Sequence, residues 1–282
     1  MKYLLLSVST LFIQLVVIAQ SDTEIYLMDL RRSTDGLLIE KPVNISQNPG
    51  YDNQPAFWVD SEALLYARTV DGQTEIARYY FDSGNTLLVT DTKQGSEYSP
   101  TPMPDGRISS IRLDATGLQL LYAYDFKGVN EVLVPELKIG YHCWVNKDRI
   151  AAFVLGDPAT LQLINIKTNK AEIVSENIGR SLHRIPGKTA FSYLDKNESP
   201  WAIKAMNPDT QETSTLISVK GDGEDYCWTP KGEILMADRA KLFVWAPESE
   251  WKQFADLSKH GITSITRLSV SPDGKKLAIA AE

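Results

Sequence analysis

The chain has 282 residues, 43% hydrophobic and 23% charged, a composition that buries a substantial core and excludes a disordered polymer. Its 29 basic and 36 acidic residues leave a formal charge of −7 with no basic run, so neither a nucleic acid nor an anionic membrane surface is an expected partner. The two cysteines and three histidines are scattered, which excludes zinc-finger and Cys-x-x-Cys chemistry.

The first segment carries Lys2, then apolar runs over Leu4-Leu5-Leu6, Leu11-Phe12-Ile13 and Leu15-Val16-Val17-Ile18, then the small residue Ala19. That order reads as a secretory signal peptide over residues 1–19, cleaved before Gln20. Ser7, Ser9, Thr10 and Gln14 weaken it as a spanning helix, and no later stretch approaches the roughly 20 apolar residues a span needs. An exported product is expected, periplasmic or secreted, monomeric and without a stable membrane span, with one domain over 20–282.

Beyond that segment the periodicity is that of strands. Ala63-Leu64-Leu65-Tyr66-Ala67-Arg68, the turn Asp71-Gly72, and Glu75-Ile76-Ala77-Arg78-Tyr79 form one hairpin signal among many. A pattern recurs in which an apolar or aromatic residue precedes a turn with Pro, Asp or Gly and then a strand. Its sharpest copies are Val270-Ser271-Pro272-Asp273-Gly274, Trp228-Thr229-Pro230-Lys231-Gly232 and Met103-Pro104-Asp105-Gly106. Weaker copies start at Trp58, Trp144 and His183.

The six anchors, Trp58, Pro102, Trp144, His183, Trp228 and Val270, lie roughly 40–45 residues apart, the period of a four-stranded propeller blade. The fold class is therefore all-β, a six-bladed β-propeller. Third strands are expected at Glu75–Tyr79, Gln162–Asn165, Trp201–Lys204 and Lys241–Trp245, and outer strands at Thr86–Thr90 and Glu172–Val174. After the last turn only Lys275–Glu282 remain, one strand's worth. The missing outer strands are expected at Thr23–Leu30 and Lys41–Ser46, so the N-terminal strands close the last blade and leave no open edge.

The Ser271-Pro272-Asp273-Gly274 turn, its echoes at Pro104 and Trp228, and the strand Ile25-Tyr26-Leu27-Met28-Asp29-Leu30 resemble the TolB-like propeller repeat. The resemblance covers nearly the whole chain after residue 19. It implies an exported propeller that acts as an interaction protein, as a peptidase accessory domain or as a free-standing protein. TolB itself carries an additional N-terminal domain, for which this length leaves no room.

No nucleophile elbow, phosphate-binding glycine loop or calcium loop is present, so no catalytic residue, metal or cofactor is expected. Cys143 and Cys227 each precede an anchor tryptophan, in the third and fifth blades. With a blade between them they are too far apart for a disulfide, and two buried free thiols are expected. By their place in the repeat Trp58, Trp144 and Trp228 belong to the core, while Trp201, Trp245 and Trp251 fall on or near outer strands and are expected partly exposed. His260 is expected at the surface.

The best candidate site is the channel mouth, where each outer strand connects to the next inner strand. It draws on Tyr51, Asp52, Gln54, Glu97, Tyr98, Tyr141, His142, Arg180, His183, Asp225, Tyr226 and Arg267. Phenols, acids and arginines together suit a protein, peptide or glycan partner. Packing between blades accounts for the tyrosines equally well. The alternative is a glycan-active lyase or hydrolase, or a peptidase-associated propeller, working through channel carboxylates or histidines.

Overall fold

A computed structural model describes residues 22–34 and 36–282, so the signal-peptide segment lies outside the described residues. Alternating apolar side chains and positive-φ turn residues produce six antiparallel sheets arranged as the blades of a six-bladed propeller. The inner strands of blades 1 to 6 are Asn53–Phe57, Ser96–Pro102, Ile139–Trp144, Ile178–Arg184, Tyr226–Trp228 and Ile265–Val270. Each begins a sheet whose remaining strands step outward.

Blade 6 joins the two ends of the chain. Glu24–Ser33 runs antiparallel to Lys276–Ala281, in register from Glu24 opposite Ala281 to Asp29 opposite Lys276. Lys276 Nζ meets Asp29 Oδ1 at 2.9 Å on that ladder. One face of the shared blade puts Met28, Leu277 and Ile279 into a core with Leu235 and Leu242 of blade 5. The other puts Ile25, Ala278 and Ala280 against Phe57, Leu64 and Tyr66 of blade 1. The outermost strand of this blade is not the single segment expected over Lys41–Ser46. It is split into Gly36–Ile39, opposite Leu30–Ser33, and Val43–Asn44, opposite Tyr26 and Leu27. Pro42, which has no N–H for the ladder, falls in the break.

A repeated joint locks blades together. Ser109, on the second strand of blade 2, accepts a hydrogen bond from Trp144 Nε1 at 2.9 Å, shares one with His142 Nε2 at 2.7 Å, and lies 3.2 Å from the Thr101 carbonyl. Ser192, on the second strand of blade 4, accepts from Trp228 Nε1 and Tyr226 Oη, both at 2.9 Å, and donates to the His183 carbonyl at 3.4 Å. Both serines are fully buried. The tripeptides His142-Cys143-Trp144 and Tyr226-Cys227-Trp228 are thus two copies of one device, in which alternate side chains of an inner strand reach back to the preceding blade.

Trp58 and Trp144 are buried, as expected, and Trp228 is half-buried. Trp201 and Trp251 are partly exposed, but Trp245 is buried at 5% exposure, because it packs into the core of blades 4 and 5 with Ile203, Tyr226 and Ile234. Cys143 and Cys227 are buried free thiols, and His260 is exposed in the turn Ser258–His260. No helix among the described residues is long and apolar enough to cross a membrane.

Candidate functional site

The inner strands are not regular where they reach the channel mouth. The ladder to the second strand slips between Asn53 and Ala56, Tyr98 and Thr101, Ile139 and Tyr141, Ile178 and Leu182, and Ile265 and Arg267. Such bulges re-aim a side chain out of the pleat. Gln54, Ser99 and Arg180 fall within these slips, Tyr141 and Arg267 are the first paired residues after theirs, and Asp225 immediately precedes the short inner strand of blade 5. Each blade therefore supplies one residue, three positions before its anchor, or four at Gln54.

These six side chains line one cavity of about 430 Å³ that continues along the channel past Leu182, Ser269 and Trp228. Gly179 helps to place Arg180, since a Cβ there would come within 2.4 Å of the Leu194 side chain and force the strand away from its neighbour. Gln54 and Ser99 hold φ values of 58° and 54°, uncommon for residues with side chains and further disfavoured before Pro55 and Pro100. Gln54 Oε1 accepts from the Ser99 N–H at 2.7 Å and ties the two strained positions together.

Asp225 organises the charge. Its Oδ2 accepts from Arg180 Nε at 3.1 Å and Nη2 at 2.5 Å and from Arg267 Nη1 at 2.8 Å, while Oδ1 accepts from Ser181 Oγ at 3.3 Å. Arg267 also reaches Tyr141 Oη at 3.4 Å and lies 5.7 Å from the centre of its ring. The Tyr51 phenol stands in the field of both arginines and meets Tyr98 edge to face at 6.2 Å; burial pushes it up to about 12. The carboxylate beside these arginines, Glu224, pairs with Lys196, so Asp225 alone faces two guanidiniums.

The other candidates go elsewhere. Asp52 is fully buried and accepts from Asn48 Nδ2 and the Thr69 N–H, both at 3.0 Å; burial pushes its carboxyl up to about 6. Glu97 is fully buried beside Thr92 and Tyr124, and burial together with Glu75 pushes its carboxyl up. Neither lines the cavity, nor do Tyr51 and Tyr98, which pack on each other beside it. His142 and Tyr226 line its wall, but their polar atoms are committed to the joints on Ser109 and Ser192. His183 lines it too, its ring centre 4.8 Å from that of Tyr226, and burial holds its imidazole down at about 4, so it is neutral. Ser99 was absent from the candidates; the repeat register alone, counted back from Pro102, finds it. Among the described residues no group of three or more His, Cys, Asp or Glu side chains is arranged to hold a metal.

No family model matches the chain, and no curated protein matches it by sequence. Solved structures resemble it closely in shape. One assigned to TolB from Agrobacterium tumefaciens superposes with a TM-score of 0.72 at 11% identity, over 93% of this chain and 99% of that one. A gluconolactonase from Xanthomonas campestris gives 0.65 at 11% identity, over 94% and 98%. An oligogalacturonate lyase from Vibrio parahaemolyticus gives 0.55 at 12% identity, over 93% and 98%. At such identities the likeness shows the fold alone, a β-propeller.

Proposed function

We propose that the chain is an exported, non-enzymatic propeller that captures an extended segment of a protein partner at the channel mouth. The observation that carries this reading is the convergence of one side chain from every blade on a single cavity of about 430 Å³, a size that suits one or two residues of an inserted chain. The six are Gln54, Ser99, Tyr141, Arg180, Asp225 and Arg267, a set rich in hydrogen-bond donors and lacking a nucleophile held by a free base. Among the described residues the contact between a serine hydroxyl and an imidazole in the channel wall, Ser109 with His142, is buried and shared with Trp144.

A peptide fits better than a glycan because a sugar ring stacks on an open aromatic face. Tyr141 is covered by Arg267 and meets Phe153 edge to face, and Tyr51 and Tyr98 face each other at 67°. Export rests on the N-terminal sequence and on the likeness to TolB propellers.

The test replaces Ser99, Tyr141 and Arg180 together by alanine. The thermal melt should stay nearly unchanged, while capture of a partner from envelope extract, detected with the wild-type chain, is abolished. A large loss of stability would identify these residues as packing. Turnover of any member of an oligosaccharide panel by the wild-type chain, lost in the triple variant, would replace binding with catalysis.

A further inference from the structure

The hydrogen-bond inventory of the mouth is unbalanced. Both Asp225 oxygens are occupied, by Arg180, Arg267 and Ser181. Gln54 Oε1 is occupied by the Ser99 N–H. The acceptors that the site's own side chains supply are therefore largely used. The donors are not. Among the described residues Arg180 Nη1, Gln54 Nε2 and the Tyr141 hydroxyl hydrogen have no acceptor, and Ser99 Oγ is buried without a partner.

Charge points the same way. Two guanidiniums face one carboxylate, so the mouth holds a surplus positive charge in a chain whose formal charge is −7. Arg267 and Asp225 are only 13% and 12% exposed, so water compensates that surplus poorly. Arg180, at 36%, is the more exposed of the two guanidiniums and lines the cavity.

We infer that the mouth recognises a carboxylate of the inserted peptide, seated between Arg180 and Arg267 with Tyr141 donating to it; this rests on the reading of the mouth as a peptide site. A planar monoanion matches both the fork of a guanidinium and the single surplus charge. A doubly charged phosphate beside Asp225 would leave the pocket with an uncompensated negative charge. The carboxylate comes either from the C-terminus of the peptide or from an Asp or Glu side chain.

The probe is an array of octapeptides in two matched halves, one ending in a free carboxylate and one amidated, each scanned with Asp and Glu at internal positions. Binding confined to the free-acid half identifies the C-terminus as the source. Binding that follows internal Asp or Glu in both halves identifies the side chain. Arg180→Gln and Arg267→Gln should each weaken acidic-peptide binding roughly tenfold. Asp225→Asn, which frees both guanidiniums, should tighten it by at least roughly threefold, the opposite of what loss of a structural contact does.

Neutral amidated peptides binding as tightly as acidic ones would overturn the inference, as would weakening by Asp225→Asn with a retained melt. If Asp225→Asn fails to fold, the wild-type comparison of the two halves decides alone. Ser269→Trp, which fills the channel below the mouth, separates the two levels. If it leaves peptide capture intact, the captured segment does not enter the channel and the reading of an inserted chain fails; if it abolishes capture while acid and amide bind the wild-type chain alike, only the carboxylate inference fails.

Discussion

Ser192→Ala tests the joint between blades 4 and 5. The hydroxyl is fully buried and accepts from Tyr226 Oη and Trp228 Nε1, so its removal strands two donors at once. A buried donor left without a partner costs about 1–3 kcal/mol. Tyr226 is 1% exposed and bears that cost in full, whereas half-buried Trp228 recovers part of it from water. The expected loss is about 2–4 kcal/mol. For a domain of this size that lowers the melting temperature by roughly 5–15 °C. Urea and thermal unfolding followed by circular dichroism measure it. The decisive step is the second substitution, since Tyr226→Phe in the Ser192→Ala background removes an orphaned hydroxyl and should restore about 1–2 kcal/mol. Ser192→Ala within about 0.5 kcal/mol of wild type would refute the reasoning, as would Tyr226→Phe costing the same in both backgrounds.

Other outcomes follow from burial. His142 Nδ1 is buried without a partner, and burial holds the imidazole down at about 4, so between pH about 4 and 6.5 the unfolded chain binds the extra proton. Its contribution to stability therefore grows as pH rises through that window and is lost on acidification. His142→Gln should flatten the slope by up to about 1.4 kcal/mol per pH unit, read from urea midpoints at several pH values; an unchanged slope counts against it. Cys143 and Cys227 should stay unreactive toward a thiol reagent until the chain unfolds, since both are buried and burial pushes the Cys143 thiol up to about 12. Rapid labelling of the folded chain would contradict this. A chain that starts at residue 46 should lose its cooperative melt, because Glu24–Ser33 supplies a strand to blade 6 and Ile25 and Met28 to two cores. A retained sharp transition would show that the ring closes without that strand.

Much of this was legible along the chain. The anchors repeat because each blade needs the same turn between its inner and second strands, and the position before it carries Trp, Pro, His or Val, buried at Trp58 and Trp144 and half-buried at the other four. The aromatic-Cys-Trp tripeptides at His142 and Tyr226 are visible in the sequence, and their serines lie 35 and 36 residues before each tryptophan. Less legible was which mouth residues point inward. Asp52 and Glu97 have the composition of a binding site, yet the chain turns both between blades, where neighbouring amides and hydroxyls bond one oxygen of each and the second oxygen is buried without a hydrogen-bond partner.

The sequence by itself determined the blade count, the register and the joining of the termini, because strand periodicity and turn chemistry are local properties that repetition amplifies. The tertiary structure alone decided that Arg180, Asp225 and Arg267 meet, since they come from three blades with 45 residues between the first two and 42 between the last two. Ring curvature and the bulges at the mouth bring such distant residues within hydrogen-bond range. Neither carries a signature in side-chain pattern, because a bulge changes the direction of a residue without requiring a change in its type.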